Sequence, residues 1–157
     1  NQTWVRGILD LPHMMDYDIR KGRTYMYFEG QPLYPFGYGL SYTRFEYGEA
    51  KVLKQDKQKV YVSVPVKNAG SRDGDEVVQL YVSYPESKVE HPKRQLKAFD
   101  RLTIPAGETR DIVLVVDKSD LTYWSPEAHA FIPETGRIHF EIGTSSADIR
   151  TEADYKL

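Results

Sequence analysis

The sequence contains no cysteine, which excludes disulfides and thiolate-held metals. No apolar run approaches the roughly 18 residues that a membrane-crossing helix needs. Excess charge is also missing. Twenty-one basic and 23 acidic residues leave a formal charge of -2, and the two signs are interspersed, so most of them form a solvated surface. Nothing in that balance calls for a nucleic-acid or membrane partner. No stretch repeats its apolar residues every 3.6 positions, so helix content is expected to be low. The four histidines, His13, His91, His129 and His139, fall into neither an HxH nor an HExxH spacing, and no zinc site is expected. Gly37 and Gly39 are not followed by Gly-Lys-Ser/Thr, so they turn the backbone rather than cradle phosphate. There is no internal repeat and no low-complexity tract. The chain opens at Asn1 without an initiator methionine, which reads as a processed or excised segment. Asn1-Gln2-Thr3 matches a glycosylation sequon at that chain end.

Aromatic residues are abundant: 12 tyrosines, 6 phenylalanines and 2 tryptophans. Nine of these 20 rings lie in residues 1–42, where Pro12, Pro32, Pro35 and several glycines interrupt any regular element. Such a segment is costly to expose and cannot bury itself on a helix or strand face. Its rings Tyr25, Tyr27, Phe28, Tyr34, Phe36 and Tyr38 are therefore candidates for a seam with a body outside the β-rich region. The alternative is a local cluster folded back onto that region.

From Tyr42 onward the pattern changes to short alternating runs. Val60, Val62, Val64 and Val66 alternate with Tyr61, Ser63, Pro65 and Lys67, which predicts a half-buried strand. Pro65 has no N–H, so this strand is expected near an edge or at a bulge. Asn68 to Gly74 is a turn. Val78, Leu80 and Val82 form the inward set of the next strand, with Gln79, Tyr81 and Ser83 opposite. A polar loop runs from Pro85 to Pro92. Leu96 to Ile104 is a strand with an irregularity near Phe99-Asp100. Ile112 to Val116 is apolar on both faces, which predicts a central or covered strand. Ile138, Phe140 and Ile142 make the last strand. The reading is all-β: an antiparallel sandwich of about seven strands with an irregular N-terminal extension. About 20 inward apolar side chains suffice for the sandwich to fold alone; the lead-in does not.

Catalytic chemistry finds little support. Asp16 and Asp18 flank Tyr17 outside any fixed element, and they read as turn caps. Glu76 and Glu108 read as polar edge positions, and His91 as a loop hydrogen-bonding group. His139 faces solvent or a second layer. Sugar binding can use exposed rings stacked on pyranose C–H groups. The candidates are Tyr81, Tyr84, Tyr123 and Trp124, against the simpler reading that Trp124 and Tyr123 cover a core end.

Leu33-Tyr34-Pro35-Phe36-Gly37-Tyr38-Gly39-Leu40-Ser41-Tyr42-Thr43 resembles the string preceding the C-terminal fibronectin type III-like domain of glycoside hydrolase family 3 enzymes. Asp73 to Val82 is similar to that domain's central strand motif. Leu96-Lys97-Ala98-Phe99 with Pro105-Ala106-Gly107-Glu108-Thr109 is similar to its next strand and turn, and Gly136 to Ile149 to its closing strand. The resemblance runs in order from about Leu11 to Arg150. His91-Pro92 departs from the family's usual Arg-Pro, which affects one local contact.

The resemblance implies an immunoglobulin/fibronectin type III-like sandwich over residues 42–157, with a C-terminal tail. Residues 1–41 become the tail of a preceding α/β domain and the interdomain linker, which favours the seam for the aromatic lead-in. It implies a parent enzyme that hydrolyses β-linked sugars with retention, through a covalent glycosyl-enzyme intermediate. In the family the nucleophilic Asp belongs to an N-terminal barrel and the acid/base lies in or beside the α/β domain. Neither motif is here, so this chain carries no catalytic residue and is expected to be inactive alone. No metal or organic cofactor is implied. The implied partners are the barrel and α/β domains of the same chain, with polysaccharide as a further ligand. Met15-Asp16-Tyr17-Asp18 with Gly22-Arg23-Thr24-Tyr25 resembles the β-xylosidase/arabinofuranosidase branch more than the β-glucosidase branch. Polysaccharide breakdown implies a periplasmic or secreted parent. An adhesin-like sandwich unrelated to hydrolysis is the remaining class, against which the ordered motifs argue.

Overall fold

The computed structural model describes residues 5–156; the Asn1 sequon lies outside them. Among these residues, ten strands follow a mostly irregular lead-in that contains one α-helical turn, α1 (Thr24–Tyr27). They are β1 (Phe45–Tyr47), β2 (Lys51–Gln55), β3 (Lys59–Asn68), β4 (Gly74–Ser83) and β5 (Gln95–Ile104). Then come β6 (Thr109–Asp117), β7 (Thr122–Ser125), β8 (Ala130–Pro133), β9 (Arg137–Ser145) and β10 (Asp148–Lys156).

Two four-stranded antiparallel sheets form the sandwich, and β7–β8 makes a separate hairpin. In the first sheet β6 pairs along the whole of one side of β3, while β1 and β2 share the other side. The second sheet has the order β10-β9-β4-β5. The alternation read along the chain sorts the side chains as expected. Val60, Val62, Val64, Val66, Ile112, Leu114 and Val116 face Val78, Leu80, Val82, Ile138, Phe140 and Ile142 in one closed core.

Several expectations are corrected. The strand count exceeds seven because β1 and β2 are short and β10 is poor in large apolar residues. Asp148, Arg150, Glu152, Asp154 and Lys156 alternate there with Ile149, Thr151, Ala153 and Tyr155. What read as a C-terminal tail is thus an edge strand whose one large inward ring, Tyr155, stacks on Phe140. β3 is not an edge strand. Pro65 sits where β1 has ended, at Tyr47↔Val66, and β2 has not begun, at Lys51↔Ser63. The Pro65 carbonyl accepts from Gly48 N–H in that gap, so the missing donor costs no ladder bond. β6 pairs only with β3, and Val113 and Val115 are exposed rather than covered. The irregularity in β5 falls at Lys97, where the register steps from Leu80↔Ala98 to Tyr81↔Leu96, and not at Phe99-Asp100.

One face of the second sheet departs from inside/outside alternation. On β4, both Leu80 and its outward neighbours Gln79 and Tyr81 are buried. A strand buried on both faces needs a second covering layer, and the lead-in supplies it.

Candidate functional site

The lead-in is shaped first by its own polar residues. Asp16 and Asp18 accept from the backbone N–H groups of Asp18 and Arg20, and Lys21 reaches Asp16 at 2.7 Å. Arg20 forks onto Asp18 at 2.9 and 2.8 Å. The Arg20 side chain holds the Asp18 carboxyl down at about 2. Both aspartates are thus turn-forming groups with engaged oxygens, poorly suited to proton transfer.

From α1 onward the chain lies on the outer face of β4 and β9. Tyr25 and Phe36 stack with centroids 4.2 Å apart, and both meet the ring of Tyr81 edge-on, at 6.3 and 6.5 Å. Backbone groups secure the seat. Lys93 N–H donates to Met26 C=O at 2.8 Å, Ser146 N–H to Phe36 C=O at 2.9 Å, and Leu96 N–H to the Tyr25 hydroxyl at 3.1 Å. Gln79 Nε2 donates to the carbonyls of Gly37 at 3.1 Å and Thr144 at 2.6 Å. Gly37 has φ +79°, and a Cβ there would fall 2.0 Å from Gln79 Oε1. The positive φ favours glycine there, and a Cβ would also displace the Gln79 amide from its hydrogen bonds.

The structure divides the six seam candidates. Tyr25 and Phe36 pack on the sandwich itself, against Tyr81. Tyr27 and Phe28 are half-buried. Tyr34 and Tyr38, a tilted pair 5.7 Å apart, remain half exposed, beside exposed Leu33, Leu40 and Tyr42. A cleft of about 320 Å³ opens between these layers, lined by Tyr25, Phe28, Pro32, Tyr34, Phe36 and Arg94 among others.

The four sugar-contact candidates do not form a row. Tyr81 is 0% exposed, covered by Tyr25 and Phe36, and its face is closed to a sugar. Its outward position on β4 was legible, but the layer above it was not. Tyr84 lies against His91 at 4.4 Å, and burial pushes its hydroxyl pKa up. Tyr123 meets the same imidazole edge-on at 6.3 Å. Only Trp124 presents a free surface, at 51% exposure. It pairs across the β7–β8 hairpin with Phe131, 69% exposed, 5.2 Å away. Phe131 was not among the candidates; the hairpin register Trp124↔Phe131 brings it there.

The loop from Pro85 to Pro92 is pinned by the buried carboxylate of Glu134. His91 Nε2 lies 2.6 Å from Glu134 Oε1, and Ser87 Oγ donates to the same oxygen at 2.8 Å. Serine, histidine and glutamate thus meet in one cluster. Hydroxyl and imidazole both address the carboxylate and not each other, so no activated nucleophile results. Glu134, on the β8–β9 turn, is the residue that sequence reading missed, because its partners lie more than forty positions away. Among the described residues, the group with metal-ligand spacing is His139, Glu141 and Glu152, on the outer face of β9 and β10.

Comparison with known proteins accords with this architecture. The fibronectin type III-like domain family matches residues 76–146. Over 147 residues the chain is 41% identical to a xylan 1,4-beta-xylosidase of Xylanibacter ruminicola, covering 93% of this chain and 17% of that protein. It is 40% identical over 122 residues to thermostable beta-glucosidase B of Acetivibrio thermocellus, covering 76% of this chain and 16% of that one. Among solved structures, a β-glucosidase from Streptomyces venezuelae superposes with a TM-score of 0.85 at 29% identity, over 100% of this chain and 21% of its own. The chain thus spans about a sixth of the length of the curated relatives it matches. On these matches and this fold, the chain belongs to the fibronectin type III-like domains of glycoside hydrolase family 3 enzymes.

Proposed function

We propose that the chain is a non-catalytic structural module of a longer family 3 glycoside hydrolase. One observation carries the reading: the lead-in is locked onto the sandwich by Tyr25 and Phe36 while Leu33, Tyr34, Tyr38, Leu40 and Tyr42 stay exposed on it. A ledge of this kind is costly in water and suits packing against further domains of the same chain, barrel and α/β. The division at residue 42 belongs to this reading, supported by the first strand opening at Phe45. So does the absence of catalytic residues, supported by Asp16 and Asp18, whose oxygens are engaged in turns and ion pairs.

For the parent we propose retaining hydrolysis of β-linked xylosides or arabinosides in plant polysaccharide breakdown, in the periplasm or outside the cell, where polymeric substrate is found. The string Met15-Asp16-Tyr17-Asp18 supports the xyloside branch; relatives named xylosidase and glucosidase at 41% and 40% identity keep the β-glucosidase as the alternative. The full-length enzyme, assayed with aryl β-xyloside and aryl β-glucoside, should turn over the xyloside faster. The opposite ranking overturns the branch assignment. Deleting the sandwich should lower the parent's melting temperature or solubility, and unchanged values would remove the structural role.

A second reading, an accessory sugar-binding module, is favoured only by the exposed Trp124–Phe131 pair. Retardation of the 157-residue chain in gels containing soluble xylan or β-glucan, lost in Trp124→Ala, would establish it. Unchanged mobility leaves the structural role alone.

A further inference from the structure

We propose that His139, Glu141 and Glu152 form a binding site for a divalent cation of the zinc type. His139 and Glu141 are alternate residues of β9, so both side chains leave its outer face. The β9–β10 register sets Glu152 opposite Glu141 and Asp154 opposite His139. The four side chains thus make a two-by-two patch. One ligand atom from each of His139, Glu141 and Glu152 lies within 4.8 Å of the other two. An ion with bonds of ~2.0–2.2 Å to nitrogen and oxygen fits among them after a small movement of Glu152, the exposed member.

Two further observations point to a cation. Glu141 is only 7% exposed; its Oε1 is ion-paired with Arg94 at 2.9 Å, and its Oε2 has no hydrogen-bond partner among the described residues. A buried carboxylate oxygen left without a donor is costly. Glu141 also stands directly across from Glu152, a like-charge contact in a strand pair; Arg94 engages Glu141 from its Oε1 side, and a cation between the two carboxylates would relieve the rest. Asp154 Oδ1 holds His139 Nδ1 at 2.8 Å, which leaves Nε2 facing Glu152 Oε2 at 3.5 Å. A carboxylate on one ring nitrogen, orienting the other toward a metal, is the usual outer support of a histidine ligand. An imidazole in the set favours zinc over calcium or magnesium, which take oxygen ligands.

The test is calorimetric titration of the chelator-treated 157-residue chain with zinc chloride, with calcium and magnesium chlorides as parallel probes. The expected result is one saturable zinc site. Glu152→Gln and His139→Gln, both at accessible positions that leave the core intact, should each weaken it at least tenfold. Asp154→Asn should weaken it about tenfold through His139, and His129→Gln should change nothing. No saturable binding, or binding unchanged in both Glu152→Gln and His139→Gln, overturns the site. Tighter binding of calcium or magnesium than zinc overturns the zinc assignment.

Discussion

Tyr25 and Phe36 stack at 4.2 Å with only 13° between their planes, and together they close over Tyr81 on the outer face of β4. This contact joins an otherwise irregular lead-in to a sheet that has its own core on the opposite face. Release of the lead-in and unfolding of the sandwich are therefore separable events. Phe36→Ala should speed proteolytic cleavage within residues 5–42 several-fold while leaving β-sheet circular dichroism intact, at a cost of about 1–2 kcal/mol. Tyr81→Ala, at a fully buried position, should cost about 3–5 kcal/mol. Equal proteolysis of Phe36→Ala and wild type would show that the stack does not hold the lead-in.

Tyr47 donates to Glu76 Oε1 at 2.7 Å, linking β1 to β4 at one end of the sandwich. Burial pushes the Glu76 carboxyl above its ordinary 4.5, and this outweighs the lowering effect of the Tyr47 hydrogen bond. The unfolded chain gives up that proton at lower pH than the folded one, so the folded state binds more protons in the intervening window. Stability contributed by this group therefore falls as pH rises from 4.5 through the raised value. Glu76→Gln keeps an acceptor for Tyr47 and removes the charge. Its melting temperature at pH 7 should match or exceed wild type by a few degrees (~2–4 °C per kcal/mol). Denaturant titrations between pH 4 and pH 7 should show a flatter profile for the variant; an unchanged slope counts against this account.

Asn68 is buried at the end of β3 and uses all its side-chain capacity. Oδ1 accepts from Thr43 Oγ1 at 2.6 Å and Gly70 N–H at 3.0 Å; Nδ2 donates to Arg72 C=O at 2.7 Å and Ile104 C=O at 2.8 Å. Asn68→Asp, nearly isosteric, replaces both donors with acceptors facing two carbonyls. It should cost at least ~3 kcal/mol in chemical denaturation. A loss below ~1 kcal/mol would mean the network rearranges freely.

Gly48 and Pro65 form a steric pair. A Cβ on Gly48 would fall 2.5 Å from Pro65 Cγ. Gly48→Ala should cost about 1–3 kcal/mol alone. Pro65→Ala should stay within about 1 kcal/mol of wild type, since the restored N–H faces the gap between β1 and β2. The double variant should recover most of the Gly48→Ala loss, a coupling of about 0.5–2 kcal/mol in a double-mutant cycle. Strict additivity would place the strain elsewhere.

The valines of β3 and the inward residues of β4, β6 and β9 announce their strands and their shared core through period-two alternation alone. That period is a local property of the backbone, so no partner need be known to read it. The ordered motifs likewise carried the family. What stayed hidden was set by neighbours distant in the chain. β10 has too little apolar surface to announce itself and exists because β9 offers it a paired edge. Pro65 looks like an edge residue until β1 and β2 are seen to leave a gap beside it. Tyr81 reads as an outward ring because the layer that buries it comes from Tyr25 and Phe36, and His139 reads as a lone histidine because Glu152 and Asp154 reach it only through strand register. The sequence by itself determined the fold class, the core and the family, because periodicity and motif are written along the chain. The tertiary structure alone decided which rings are covered and which carboxylates meet, because burial and electrostatics depend on distance in space.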